Sequence, residues 1–116
     1  MTALRIERVD DHPVVSNITV NAWKGEHKVG SALICTSEDQ DGVYSYSIEW
    51  VEVNPDHQQQ GIATQIVEAI VGWLKGSVIE AVANPHLVRV FTKLKFVPGE
   101  QVQEGVVMKY TPHTLG

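Results

Sequence analysis

The sequence predicts one α/β (α+β) domain in which strands come first and two helices come later. In the first part of the chain, apolar residues alternate with polar ones, as in Leu4–Val9, which is typical of half-buried strands. From Ile62 onward, apolar residues recur three and four positions apart, which indicates an amphipathic helix. A chain of 116 residues can bury one hydrophobic core but has no room for a second domain. We therefore expect a single domain over residues 1–116.

Residues that favour turns or interrupt helices mark where the predicted strands and helices begin and end. We expect strands over Leu4–Val9, Val15–Trp23, Val29–Thr36 and Tyr44–Val53, a helix over about 60–75, a strand over Val78–Ala83, a helix from Pro85 to about Leu94, and last strands at Phe96–Val97 and Gly105–Tyr110. Gly76 is the predicted cap of the first helix, and Pro85 suits the first turn of the second. A right-handed crossover through the first helix would make the fourth and fifth strands parallel.

Composition and charge argue against several classes of protein. The net charge is −5 and no lysine or arginine cluster is present, so we expect no nucleic-acid partner. No stretch approaches the roughly 20 apolar residues of a membrane span, and we expect no membrane partner. The single cysteine, Cys35, excludes an internal disulfide and agrees with the reducing cytoplasm, where we expect the protein. No histidine or cysteine spacing indicates a metal site.

The stretch from Gln58 to Thr64, Gln-Gln-Gln-Gly-Ile-Ala-Thr, lies between a predicted strand and a predicted helix. Backbone N–H groups at a helix start have no intrahelical partner, and the helix dipole adds partial positive charge there. Gly61 and Ala63 carry little side-chain bulk, so a phosphate can approach those amides closely. The run lacks the lysine of a nucleotide P-loop and the three glycines of the dinucleotide fingerprint. The loop therefore predicts capture of a phosphorylated cofactor by backbone amides.

The pattern Val53-x-Pro55-x-x-Gln58-x-x-Gly61-x-Ala63-Thr64 resembles the acyl-coenzyme A loop of the GNAT superfamily of N-acetyltransferases, Gln/Arg-x-x-Gly-x-Gly/Ala between a strand and a helix. Asn84 with Phe91-Thr92-Lys93-Leu94-Lys95-Phe96 is similar to a second family segment, and Val107-Met108-Lys109 to a closing strand. The resemblance covers roughly residues 43–110. It implies a mixed, mostly antiparallel sheet of six to seven strands, a splayed parallel pair at the cofactor site, acetyl-CoA as co-substrate and no metal.

The resemblance also implies which residues contact the cofactor. They come from the end of the fourth strand, the glycine loop and the second helix, and they are Val51, Val53, Gln58, Gln59, Gln60, Gly61, Ile62, Ala63, Thr64, Asn84 and Phe91.

The reaction that the resemblance implies is direct transfer of an acetyl group to a primary amine, of a small molecule or of a protein lysine or N-terminus. A free amine with a pKa of about 10.4 is mostly protonated at neutral pH, so a general base must deprotonate it. We expect Glu49 to be that base and Ser47 to hold a water beside it. Strict alternation would place Ser45, Ser47, Glu49, Val51 and Val53 on one face of the strand, with Glu52 on the other.

One departure from the family pattern concerns the general acid. Phe91 stands where the family often has a tyrosine that protonates the leaving thiolate, and phenylalanine has no proton to give. Either solvent protonates the thiolate, or one of Tyr44, Tyr46 and Tyr110 does so. A further alternative is a non-catalytic acyl-CoA-binding or protein-interaction module. Lys95 also replaces the family's glycine before Phe96.

A second departure is the short connection between Val9 and Ile18, which cannot hold the two helices that GNAT domains usually carry there. The acceptor site is then either open or covered by another chain. We expect an uncovered sheet face that leaves Tyr44, Tyr46, Ile48 and Trp50 poorly buried. Large apolar patches usually mark an interface, which favours a homodimer or a macromolecular substrate.

Cys35, His57 and His86 carry the remaining reactive groups. Cys35 in a strand is expected to be a buried thiol rather than an acyl-cysteine nucleophile. His57 precedes the loop and His86 stands at a helix start, so either could line the cleft, although a surface position is the commoner one for such residues.

Overall fold

The computed structural model describes residues 3–10, 17–58 and 60–112. These residues form seven strands and two α-helices: β1 Leu4–Asp10, β2 Asn17–Lys24, β3 His27–Glu38, β4 Tyr44–Val53, α1 Ile62–Leu74, β5 Val78–Ala83, α2 Pro85–Lys93, β6 Val97–Val102 and β7 Gly105–Tyr110. A 3₁₀ turn, Pro55–His57, lies between β4 and the glycine loop.

The strands form one mixed sheet in the order β1-β2-β3-β4-β5-β7-β6. All neighbouring pairs are antiparallel except β4 and β5, which are parallel because α1 connects them as a crossover. The β4–β5 ladder is short: it joins Ser45–Ile48 to Val78–Ala81 and stops there, although both strands continue. The two strands therefore splay apart, and the predicted mixed, mostly antiparallel sheet with a splayed parallel pair is confirmed.

Both helices pack on the same face of the sheet, and the hydrophobic core lies between the helices and that face. The fully buried core residues include Val20 of β2, Ile34 of β3, Ile79 of β5 and Met108 of β7. Register pairing places these side chains on the helix-covered face, where α1 packs on β2 to β5 and α2 on β5 to β7. No element among the described residues covers the opposite face, which we call the open face.

A β-bulge in β4 decides which of its residues share a face. Leu33 of β3 pairs with Trp50, and the next residue, Ile34, pairs with Ile48, so Glu49 has no partner across the ladder. An extra residue of this kind shifts the alternation by one position. The prediction of strict alternation was therefore wrong at this strand.

The bulge separates two groups of β4 residues. Register pairing places Val51 and Val53 on the helix-covered face with Ile48, whereas Ser45, Ser47, Trp50 and Glu52 lie on the open face. Glu52 is thus on the same face as Ser47, not on the opposite one as predicted.

Two of the four β4 residues that were expected to be poorly buried belong to the core or pack against it. Ile48 is only 3% exposed and belongs to the core, and Tyr46 packs against the core. Trp50 is 46% exposed on the open face, and Tyr44 is 49% exposed at the start of β4.

The observed boundaries of the strands and helices agree with the predicted ones at some elements and differ at others. β5, α2 and β7 agree with expectation, whereas β3 is longer at both ends and β6 runs to Val102 instead of ending at Val97. Gly76 is not the cap of α1: the helix ends at Leu74, and Lys75 is its C-cap with φ −60°. The predicted start of the second strand at Val15 lies outside the described residues.

β1 and β2 are neighbours both along the chain and in the sheet. β1 pairs directly with β2, with Asp10 opposite Ile18, and only residues 11–16, which lie outside the described ranges, connect the two strands.

Candidate active site

The glycine loop presents the start of α1 to an open space. Gly61 is the N-cap of α1 with φ 77° and ψ 11°, a left-handed conformation that glycine adopts without steric cost. It has no side chain to accept a hydrogen bond from the first amides of the helix. A Cβ atom at Gly61 would meet no protein atom within 4 Å, so the space beside these amides is open to a ligand.

A cavity of about 470 Å³ opens in front of this loop and contains most of the predicted cofactor residues. Its lining consists of Val51, Val53, His57, Gln58, Gly61, Ile62, Ala63, Thr64, Asn84, His86, Leu87 and Val90. Of the other predicted cofactor residues, Gln60 lies outside this lining and accepts a hydrogen bond from Lys24 Nζ at 2.6 Å. Gln59 lies outside the described residues.

Two of the predicted cofactor residues also hold the cavity walls in place. Gln58 Nε2 donates to the carbonyl oxygen of Val53 at 3.2 Å, which ties the loop to the end of β4. Asn84 Oδ1 accepts from the backbone N–H of Leu87 at 3.0 Å and caps α2. These contacts fix the loop and the second helix on either side of the splay between β4 and β5.

A second cavity, of about 420 Å³, adjoins the first at the splay. It is lined by Ser47, Ile48, Glu49, Trp50, Val51, Glu52, Ala81, Val82, Asn84, Leu87, Phe91 and Glu104. Val51, Asn84 and Leu87 belong to both linings, so the two cavities meet between the strands. The ionisable side chains of this lining are Glu49, Glu52 and Glu104, all carboxylates.

The predicted catalytic pair comes together in this second cavity. Ser47 Oγ donates to Glu49 Oε2 at 3.4 Å, a long hydrogen bond on an exposed part of the strand. Cys35 pairs with Ser47 across the β3–β4 ladder. Burial and the neighbouring Glu49 carboxylate raise the pKa of the Cys35 thiol, so the thiol stays protonated at neutral pH and is a poor nucleophile.

Phe91 lines the second cavity rather than the first and is only 1% exposed. Its ring packs edge-on against Phe96, with 4.9 Å between the centroids, and Phe96 in turn lies 5.6 Å from Tyr110. Neither cavity lining contains Tyr44, Tyr46 or Tyr110, all of which the structure describes.

Sequence reasoning missed some residues of the second cavity. Trp50 and Glu52 join it only because of the bulge, which has no signature in the sequence. Glu104 joins it because the β6–β7 turn folds back against the splay. His57 and His86 both line the first cavity; His57 is half-buried, whereas His86 is exposed and therefore also agrees with the prediction of a surface position.

The comparisons with known proteins agree with this geometry. The model of the acetyltransferase (GNAT) family matches residues 3–96, most of the chain, and the chain therefore belongs to that family. No curated protein matches the chain significantly in sequence.

Solved structures share the fold at low sequence identity. Arabidopsis thaliana Naa50, in complex with the bisubstrate analogue CoA-Ac-MVNAL, superposes with a TM-score of 0.71 at 13% identity, covering 80% of this chain and 72% of that one. The ribosomal-protein-S18-alanine N-acetyltransferase of Escherichia coli gives 0.67 at 16%, covering 86% and 72%. A chain of the KacTA–DNA complex gives 0.71 at 13%, covering 93% and 92%.

Two further observations concern the described residues alone. None of their helices has the length and apolar character needed to cross a membrane. Their histidine, cysteine, aspartate and glutamate side chains form no group of three or more that could hold a metal ion.

Proposed function

We propose that the chain transfers an acetyl group from acetyl-CoA to a primary amine, with Glu49 as the general base. The observation that carries this proposal is the junction of the two cavities at Val51, Asn84 and Leu87. The first cavity has backbone amides suited to phosphate, and the second has a carboxylate suited to an amine. The place where they meet is where a thioester and an amine would react.

The residues present fit acetyl-CoA, which supplies the activated acetyl group as a thioester. Gly61 leaves open space beside the first amides of α1, which suits a pyrophosphate. Beyond Ile48 the β4–β5 ladder ends, so the β5-facing edge of β4 is available to the amides of an extended pantetheine arm. Val51 and Val53 provide an apolar wall along the same path.

The acceptor amine would enter from the open face. The exposed carboxylates of Glu49, Glu52 and Glu104 favour a cationic group there, because they give this part of the surface a negative charge that attracts an ammonium group. Glu49 takes a proton from the ammonium group, directly or through a water that Ser47 Oγ orients. The neutral amine then attacks the thioester carbonyl, a carbon–nitrogen bond replaces the carbon–sulfur bond, and the nitrogen loses its extra proton to solvent to give the amide.

Solvent is our proposed proton source for the thiolate that leaves. Phe91 has no acidic proton, and the tyrosines lie outside both linings. The second cavity opens onto a sheet face that no described element covers, so water can reach the sulfur.

The test is thiol release from acetyl-CoA with a panel of polyamines, aminoglycosides and lysine peptides. Glu49→Gln should lower turnover roughly 10²-fold, the lower end for loss of a general base, and leave CoA affinity unchanged. Glu68→Gln, on the exposed side of α1, is the matched control and should have no effect. Turnover of Glu49→Gln within a few-fold of the unmodified protein would remove Glu49 from the role.

The absent tyrosine favours a second candidate, a non-catalytic acyl-CoA-binding or protein-interaction module on the same fold. This candidate predicts CoA binding with no thiol release for any amine in the panel. The two candidates thus differ in turnover, not in cofactor affinity.

A further inference from the structure

The two edges of the sheet differ in how well they are protected against pairing with another strand. β6 forms one edge, contains Pro98, which has no backbone N–H, and has its pairing with β7 interrupted between Pro98 and Gln101. β1 forms the other edge, contains neither proline nor glycine, and pairs with β2 without interruption from Leu4 to Asp10. Because no described element pairs with the outer side of β1, that side presents a regular row of backbone N–H and C=O groups.

Two charged residues of β1 lie on the open face, where β2 holds them in place. Arg5 is paired with Trp23 across the ladder, and its guanidinium lies over the indole ring at 5.6 Å from the centroid. Glu7 is paired with Asn21, and Glu7 Oε1 accepts from Trp23 Nε1 at 3.1 Å and from Asn21 Nδ2 at 3.2 Å. A positive and a negative group therefore stand side by side at the outer edge, two positions apart on one strand.

These charges distinguish between the registers in which β1 could pair with β1 of a second copy. In an antiparallel pair with twofold symmetry, one residue lies opposite its own copy. A centre at Arg5, Glu7 or Arg8 would place like charges directly opposite each other, which is unfavourable. A centre at Ile6 instead places each Arg5 opposite Glu7 of the second copy, and it overlaps the five residues from Leu4 to Arg8. A centre closer to either end of the strand overlaps at most three residues.

We propose that two copies of this chain pair through β1 in the antiparallel register centred on Ile6, so that their sheets join into one. On the open face, Arg5 and Glu7 of the two copies then alternate in sign both along and across the strands. On the other face Ile6, which is partly buried and packs against the core of its own chain, contacts its own copy. The edge charges therefore complement a second copy of the same strand.

This interaction surface is separate from the candidate active site. Neither cavity lining contains a residue of β1, so pairing through β1 leaves both cavities accessible. The proposal therefore does not depend on acetyl transfer, and either one can fail without the other.

Analytical ultracentrifugation of the full chain, from low to high micromolar concentration, tests the proposal. The unmodified protein should sediment as a monomer and dimer in equilibrium. Arg5→Glu and Glu7→Arg each place like charges opposite one another at both crossings of the pair. Each substitution should weaken dimerisation roughly five- to several-hundredfold, because two cross-strand pairs change from attraction to repulsion.

Mixing the two single variants gives the sharper result. In a heterodimer of Arg5→Glu with Glu7→Arg, opposite charges face each other again at both crossings, so an equimolar mixture should dimerise although each variant alone does not. The double variant Arg5→Glu/Glu7→Arg should dimerise for the same reason. Recovery in the mixture also shows that both single variants are folded.

Two controls separate edge pairing from a general effect of charge. Glu100→Arg, at an exposed position of β6 on the opposite edge, should leave dimerisation unchanged. High salt should weaken the unmodified dimer and reduce its difference from the single variants, because salt screens exposed charges. In amide hydrogen exchange, the β1 N–H groups that point away from β2 should be protected in the dimer and should lose that protection in Arg5→Glu.

Several results would overturn the proposal. They are a monomer at every concentration, a dimer that neither single variant weakens and that must therefore use another surface such as the open face, and a mixture of the two variants that stays monomeric. Unprotected outer amides of β1 in a dimer would overturn it as well. A dimer that follows the charge pattern upholds the proposal even if no amine is acetylated, whereas acetyl transfer by a strict monomer refutes this inference alone.

Discussion

The conformation of Gly61 allows the cofactor loop to be tested against a matched position elsewhere in the chain. Gly61 and Gly42 both have φ 77°, and a Cβ atom would meet nothing within 4 Å at Gly61 and only Glu38 Oε1 at 3.7 Å at Gly42. An alanine at either position suffers the same backbone strain and no clash. The left-handed conformation costs a residue with a side chain about 1–2 kcal/mol.

Both alanine variants should therefore lose similar stability and differ in ligand binding. We expect Gly61→Ala and Gly42→Ala each to lower the unfolding temperature by roughly 4–8 °C, since about 1 kcal/mol corresponds to about 4 °C in a chain of this length. Only Gly61→Ala should weaken CoA binding, because its methyl group occupies the space through which a phosphate approaches the amides. Losing one hydrogen bond to a charged group corresponds to roughly a ten- to hundredfold weaker Kd.

Thermal unfolding and calorimetry with CoA measure the two effects separately. Gly61→Glu adds a like charge and should abolish measurable binding while the protein remains folded. If both alanine variants bound CoA equally, or if folded Gly61→Glu kept its affinity, the assignment of the loop to phosphate binding would be refuted.

Three further predictions concern stability and assembly. Lys95 has φ 73° at the position where the family has glycine, so Lys95→Gly should raise stability by roughly 0.5–1 kcal/mol in denaturant unfolding, and a loss would contradict the strain argument. Hydrogen bonds from Trp23 and Asn21 lower the pKa of Glu7, so its stabilising contribution is present above the ordinary glutamate pKa and is lost as the pH falls through the lowered value. Unfolding of Glu7→Gln should therefore depend less on pH in acid, and an unchanged profile would argue against this. The open face with exposed Trp50 predicts a homodimer in light scattering, and a monomer with full amine-transfer activity would refute it.

The sequence predicted the fold well because its strongest local signals agree with the final topology. Alternation in the first strands, helical spacing after Ile62 and the proline at the first turn of α2 each follow from short-range chemistry. The glycine loop was equally readable, because a left-handed N-cap needs glycine and Gly61 provides it. The prediction that Gly76 caps the first helix was wrong, because α1 ends at Leu74 without a left-handed cap.

The positions of the predicted catalytic residues were harder to derive from the sequence. Alternation counted along β4 treats every residue as paired, and the sequence of the strand does not reveal that Glu49 has no partner in β3. The register shift depends on how two complete strands align. It placed Val51 and Val53 on the face opposite to Ser47 and Glu52 on the same face as Ser47.

By itself, the sequence determined the order of the elements, the glycine loop at the start of α1 and the family, because these depend on residue types at fixed spacing along the chain. Only the tertiary structure decided that the cavity lined by most of the predicted cofactor residues meets the cavity lined by Glu49 at the splay between β4 and β5. It also decided that Glu104 lines the second of these cavities and that β1 forms an edge of the sheet. These features depend on strand pairing and on packing between residues far apart in the chain, which local patterns do not encode.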